Sequence, residues 1–350
     1  SGTYAGTPDL RGTGSGGSVT STNGYDITFN RAATPLSWNM PIYVSGTGQI
    51  KANVLVPSAA VGTIVSMCVG KSSVTTFQGG TNAYDSFTKM ALQFPIANPV
   101  IDSTGLQVVT NINAAPHAAT GPTFLVDALS LNGSNQSLDM GTAPGFPVGY
   151  EDRSVSFWAN PVTLAANIGF VGWGNGAYRQ DFQLISLGGK LGLYIPPDQT
   201  SGGTSTSVMP LASWHRYDLV ADAGVSNIRF YIDGVASGTA PCCGGYSPFT
   251  GAVSSSVIGR VATVAGMYYN GQLAEIRVRS TSSTATWIAA EYLNQSNPSA
   301  FYTIVSIAQP TPPVISGVSI VANSPLSVKA TWTTDIAADS QIQCGGTSGG

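Results

Sequence analysis

Between Trp214 and Gly238, in WHRYDLVADAGVSNIRFYIDGVASG, apolar and polar side chains alternate with a period of two. His215, Tyr217 and Leu219 share one face, and Trp214, Arg216, Asp218 and Val220 share the other. Ile228, Phe230 and Ile232 oppose Asn227, Arg229 and Tyr231 in the same way. This is the signature of strands with one buried face. Asp233-Gly234 separates the second strand from Val235 and Ala236, and an Asp-Gly pair between strand residues predicts a type I′ hairpin turn. Asp233 therefore has a backbone role before any ligand role is considered. The charges in the run are expected to form the wet face of a sheet.

The same pattern recurs along the chain. GYDITFN, MPIYVSG, GQIKANVLVPS and GTIVSMCVGK predict short strands over residues 1–115, and a loop-like stretch follows them. From 124 to 304, DALSLNG, QSLDMG, RSVSFWANP, IGFVGWG, DFQLISL, KLGLYIP, the quoted hairpin, SVIGRVA and GQLAEIRVRS predict an antiparallel double sheet. STATWIAAEYLNQSNP alone has helical spacing, with Ser and Thr before it and Pro298 beyond its end. A proline linker over 305–316 leads to two or three further strands in 317–350, too few for a sandwich. The fold class is all-β, as tandem β-sandwiches.

Composition narrows the function classes. The 350 residues include 42 glycines and 21 prolines, yet 43% are hydrophobic and fall in alternating runs, which disorder lacks. A net charge of −3 without a basic stripe excludes nucleic-acid binding. No apolar run approaches the roughly 20 residues of a membrane span. Ser, Thr, Asn and Gly do the solvating, which leans towards an extracellular setting. The opening SGTYAGTPDLRG reads as the middle of something and is compatible with a removed leader. Cys68, Cys242, Cys243 and Cys344 fit no zinc spacing and allow three full pairings. A bond between the adjacent Cys242 and Cys243 would be strained.

DALSLNGSNQSLDMG, RSVSFWANP, SWHRYDLVAD with SNIRFYIDGVASG, and YNGQLAEIRVRSTSSTATWIAAEYLN resemble, in order, laminin-G-like domains of the concanavalin A-like lectin/glucanase superfamily. The resemblance implies a jelly roll over 124–304. GYDITF, TPLSWNMPIYVSGTGQIKANVLVPS, SVTTFQGGT and DSTG resemble a domain of unknown function that precedes such jelly rolls in bacterial surface proteins, truncated here at its start. SVKATWTTDIAADSQIQCGG resembles the first strands of a fibronectin type III-like module, with Trp332 as its core tryptophan. Cys68 and Cys344 depart from both patterns.

Glucanases of this superfamily carry two or three carboxylates on alternate positions of one strand, because retaining hydrolysis needs an acid and a nucleophile roughly 5 Å apart. The corresponding strand here holds Glu275, with Ala274 before it and Arg277 two positions on. Glu151 and Asp152 are neighbours and point to opposite faces. No acid pair survives, and the expectation is that the chain is not an enzyme. His117 falls in a loop and His215 on an inner strand face, and no Gly-x-Ser-x-Gly elbow precedes a helix. A single Ca²⁺ at the sandwich rim is the one cofactor the resemblance suggests, with Asp127, Asn132 and Glu275 as ligands. Trp173 and Tyr178 in GWGNGAYRQD, and Tyr268 and Tyr269 in GMYYNG, are the candidate stacking platforms for a sugar. Trp158 and Phe230 are expected in the core.

The reading is a non-catalytic, extracellular structural or adhesive protein of a prokaryotic cell surface, able to serve as a repeat unit of a larger assembly or filament. Its partners are then copies of itself or neighbouring surface proteins, with Cys68, Cys344 or the Cys242-Cys243 pair as cross-links. The alternative is a carbohydrate-binding, lectin-like module of a secreted multidomain protein.

Overall fold

The computed structural model describes residues 9–95, 100–118, 121, 128–164, 167–195, 203–242, 248–262, 264, 266–305, 314–324 and 327–335. The chain divides into two units, Ser1–Ile304 and Val305–Gly350.

The first unit opens with a small β layer. Strands β1 (Thr28–Arg31), β2 (Thr34–Pro35) and β5 (Ser66–Cys68) form one sheet, and β3 (Trp38–Val44) and β4 (Gln49–Val54) form a hairpin. Val19, Ile27, Phe29 and Trp38 make its core. Asp26, 2% exposed, ties three segments together by accepting from the backbone N–H groups of Thr20, Ser21 and Gly70.

Two large antiparallel sheets follow. The first runs in the order β19 (Val235–Pro241), β18 (Asn227–Ile232), β17 (His215–Ala221), β12 (Arg153–Thr163), β21 (Asn270–Arg279), β10 (Ala128–Asn132), β9 (His117–Ala118). β6 (Thr88–Gln93) pairs with the second half of β21, and β7 (Ile101–Asp102) pairs with β6. The second sheet runs β16 (Thr204–Val208), β15 (Lys190–Tyr194), β14 (Asp181–Leu187), β13 (Ile168–Gly174), β20 (Ser255–Ile258), β11 (Ser137–Asp139), β8 (Thr110–Ile112). Between them lies one apolar core that includes Phe157, Phe170, Phe182, Tyr217, Phe230, Ile276 and Val278. Burying such rings, each about 150–250 Å², supplies the main drive for closure. The sheets draw β6, β8 and β9 from residues 88–118, a stretch that local patterning joins to the preceding region.

Alternation sorts the faces as the sequence predicts. On β17, Tyr217, Leu219 and Ala221 enter the core, while Arg216, Asp218 and Val220 face outwards. Asp233 (φ +51°) and Gly234 (φ +77°) make the tight turn from β18 to β19. The predicted helix is α1 (Ala285–Ser296), capped by Thr284, whose hydroxyl accepts from Trp287 N–H at 3.2 Å. It lies on the outer face of the first sheet, with Ile288 against Val220 and Tyr231. Tyr292 stacks on Trp158 at 5.7 Å. The second unit contains an antiparallel hairpin of β22 (Ile315–Ser324) and β23 (Ser327–Thr334).

Candidate functional site

The outward face of β17 is not wet. Arg216 is 1% exposed and Asp218 3%. Arg216 donates to both Asp218 oxygens (3.1 and 2.8 Å) and to Glu291 of α1 (2.6 Å). Glu291 also takes Arg277 of β21, and Arg277 reaches back to Glu275 at 3.0 Å. The chain of charges ends on Lys51 of β4, whose Nζ lies 2.5 Å from Glu275. Three cations and three carboxylates thus alternate and cancel. Buried charges persist in such neutral, hydrogen-bonded sets. Gln93 donates to Glu275 at 3.0 Å and exchanges hydrogen bonds with Asn53, which joins the β3–β4 hairpin to the sheet.

Glu275 owes its place to a bulge. Its φ is +47°, and the partner of β21 changes from β10 to β6 around it. The register against β12 slips between Ser156 and Trp158 at the same level. Strict alternation would set Glu275 beside Leu273 in the core, whereas the bulge turns its carboxylate outwards to Lys51. Burial alone would raise its pKa, and Lys51 and Arg277 reverse this to hold it below the usual value. Burial likewise works against the ionised Glu291, yet Arg216 and Arg277 pull it down to about 2. For Asp218 burial outweighs Arg216 and pushes the carboxyl up to about 6.

The structure separates the candidates for sugar and metal. Trp173 lies in β13, wholly buried, with Nε1 donating to Pro147 O at 2.9 Å and its ring 4.7 Å from that of Phe182. Gly172 beside it is a strand position where a Cβ would strike the Gln183 side chain. Tyr269 is also in the core, its hydroxyl donating to Gln272 O. Both are corrections to the stacking role. Tyr178 is 66% exposed, with Arg179 5.3 Å over its ring, and Tyr268 is half-buried. Trp158 and Phe230 are buried. As a calcium ligand Glu275 is corrected too, since Lys51, Gln93 and Arg277 occupy its oxygens and would repel a cation or compete with it. Asn132 is exposed, and its side chain accepts from the N–H groups of Ser134 and Asn135 to shape the turn. Asp127 lies outside the described residues. Among the described residues no group of three or more His, Cys, Asp or Glu is placed to hold a metal. Cys68 is a free, exposed thiol and Cys242 is disulfide-bonded, while Cys243 and Cys344 lie outside the described residues. No described helix is long and apolar enough to cross a membrane.

An open cleft of about 830 Å³ sits at the sandwich rim where β21 ends. Lys89, Thr142, Phe146, Glu151, Asp152 and Ser280 are among its lining. Arg153 stiffens the loops beside it, donating to Gly149 O, Glu151 O and Thr250 Oγ1 and lying 5.0 Å over Phe182. Burial draws its pKa down to about 10. Tyr150, 54% exposed and packed edge-on against Phe249, flanks the same loops. No sequence signal marks this cleft, because it forms from loops distant along the chain.

Residues 132–289 match the laminin-G-like family model of the concanavalin A-like lectin/glucanases superfamily. This stretch is a concanavalin A-like domain. Among solved structures, the chain is similar to domain 4 of AbnA, an extracellular GH43 arabinanase from Geobacillus stearothermophilus, in complex with arabinotriose. That likeness has 20% identity, covers 58% of this chain and 98% of that one, and has a TM-score of 0.46. The binding domain of Paraclostridial Mosquitocidal Protein 1 is 13% identical, with coverages of 60% and 53% and a TM-score of 0.48. The binding domain of botulinum neurotoxin serotype G is 11% identical, with coverages of 60% and 51% and a TM-score of 0.46. The chain spans about half the length of these two toxin binding domains. Compared with curated proteins, the chain has no match.

Proposed function

We propose that this chain is a non-catalytic β module of an extracellular, cell-surface protein, in which the concanavalin A-like jelly roll is a rigid scaffold for adhesion or assembly. One observation carries the reading: the acids of the outer sheet face, Asp218, Glu275 and Glu291, are each bound to a cation beneath α1 and the β3–β4 hairpin. A glycosidase acid must keep its proton at working pH and reach the bond it cleaves. Glu275 and Glu291 are held ionised, the first buried and the second half-buried between two arginines, and Asp218, whose carboxyl is pushed up, is itself buried. The disulfide at Cys242 suits an oxidising compartment. The resemblance of the flanking stretches to modules of bacterial surface proteins points the same way. Incubation with β-glucans and arabinans should release no reducing ends above the blank. Turnover abolished by Glu275→Gln or Glu291→Gln would sink the proposal.

The rim cleft favours a second reading, a module that also holds a glycan there, with Lys89 and Asp152 as polar contacts in its lining and the exposed Tyr150, between the lining residues Val148 and Glu151 in the chain, as a stacking ring beside it. Binding on a glycan array that is lost in both Tyr150→Ala and Lys89→Ala would establish it. Binding untouched by either change would remove it.

A further inference from the structure

Ser213, His215 and Asp233 form a connected set at the opposite end of the sandwich, where β12 ends and β17 begins. His215 Nδ1 lies 2.6 Å from Asp233 Oδ2, and His215 Nε2 lies 3.1 Å from Ser213 Oγ. A nucleophile within about 2.6–3.2 Å of a base that a third group orients is the arrangement of an activated serine. No strand–elbow–helix motif announces it, since serine and histidine stand two residues apart at a strand start and the aspartate arrives through the hairpin.

Each member is fixed from behind. Asp233 is held by the turn, and its Oδ1 accepts the Arg216 N–H at 2.9 Å, so Oδ2 is left to orient the imidazole. With the proton kept on Nδ1, Nε2 offers its lone pair to the serine hydroxyl, whose alternative acceptor, Leu211 O, is farther away at 3.3 Å. Ala212, immediately before Ser213, has φ +54°, a left-handed conformation that costs a non-glycine residue about 1–2 kcal/mol. Its N–H donates to Pro161 O at 2.8 Å, which anchors the bend. Strain of this kind collects at working sites. Ser213 is half-buried between the exposed Ala212 and the strand, open to a small reagent.

We propose that Ser213 is a nucleophilic serine that accepts an acyl group from an ester, with His215 as its base and Asp233 as the positioning residue. The serine oxygen forms a bond to the ester carbonyl carbon while its proton passes to His215 Nε2. The ester C–O bond then breaks, and His215 returns the proton to the departing alcohol, leaving an acyl-serine. The step ends at the acyl-serine, a single acylation of the chain without turnover, so it goes beyond the non-catalytic scaffold reading without opposing it, and none of the three side chains belongs to the buried ion network.

The test is to incubate the full chain with p-nitrophenyl acetate and follow acylation by intact mass and peptide mapping. The expected result is a single acetyl group on the peptide that contains Ser213, absent in Ser213→Ala. In His215→Gln labelling should slow by roughly a hundredfold. Asp233→Asn, which keeps the turn, should slow it too, and urea denaturation checks that each variant is folded. Should Asp233→Asn unfold, His215→Gln decides alone. Acetyl groups only at other residues, or a Ser213 rate unchanged in folded His215→Gln, would overturn the proposal.

Discussion

Glu291 of α1 and Arg216 of β17 meet at 2.6 Å, and the same carboxylate reaches Arg277 of β21, two strands away across β12. One acid on the helix thus closes a gap between two cations on the sheet. Replacing Glu291 by Gln leaves the buried Arg216 and the half-buried Arg277 without it and should lower unfolding stability by about 3–5 kcal/mol. Asp218 is the weaker partner, since burial already disfavours its charge. Asp218→Asn should cost about 1 kcal/mol or less at neutral pH. Urea denaturation of the two variants checks the order, and the reverse ranking would contradict the account.

Opposite pKa shifts predict a stability maximum in mild acid. Glu291 is lowered from 4.5 to about 2, so its contribution is complete above pH 4.5 and vanishes as pH falls towards 2. The difference, 4.5 minus 2, is worth about 3 kcal/mol. Asp218 is raised from 3.8 to about 6, so its protonated form favours the fold and stability drains as pH rises from 3.8 through 6. Thermal midpoints should therefore peak near pH 4–5. In Asp218→Asn the decline between pH 4 and 6 should flatten.

Gly234 tests the hairpin. Its φ is +77°, and an added Cβ would lie 3.0 Å from the Tyr292 Cβ and 3.2 Å from the Ala289 Cα of the helix. Gly234→Ala should lose about 1–3 kcal/mol, read from the urea midpoint.

Trp173→Ala should cost about 3–5 kcal/mol as a core cavity. Tyr178→Ala, on an exposed ring, should stay within about 0.5 kcal/mol. Loss of glycan binding in folded Trp173→Ala would contradict its place in the core.

Cys68 and Cys242 should differ towards iodoacetamide in the folded, unreduced protein. The peptide with Cys68 should be alkylated and that with Cys242 should not, by mass spectrometry.

Local chemistry was legible where it decides structure locally. The two faces of β17, the Asp233-Gly234 turn and the Thr284 cap all follow from neighbours within a few residues. The fate of the outward charges did not, since Arg216 is buried only because Glu291 arrives 75 positions later. Period-two patterning assigns a face but not what covers it. The bulge at Glu275 was hidden for the same reason, as strand exchange between β10 and β6 is a long-range event. Trp173 sits in a predicted strand, but which face it takes depends on Pro147 and Phe182, which meet it from elsewhere in the chain. No motif marks Ser213, because its base and orienting acid are recognised by distance alone.

The bond between Lys51 and Glu275 also limits how this protein can be cut or shuffled. A fragment trimmed to the family-matched stretch would discard that amine together with the hairpin covering Glu275, and by losing Glu291 it would leave Arg216 and Arg277 without the acid between them. Whoever borrows this jelly roll as a building block should carry the early hairpin with it, and gene rearrangement faces the same bargain.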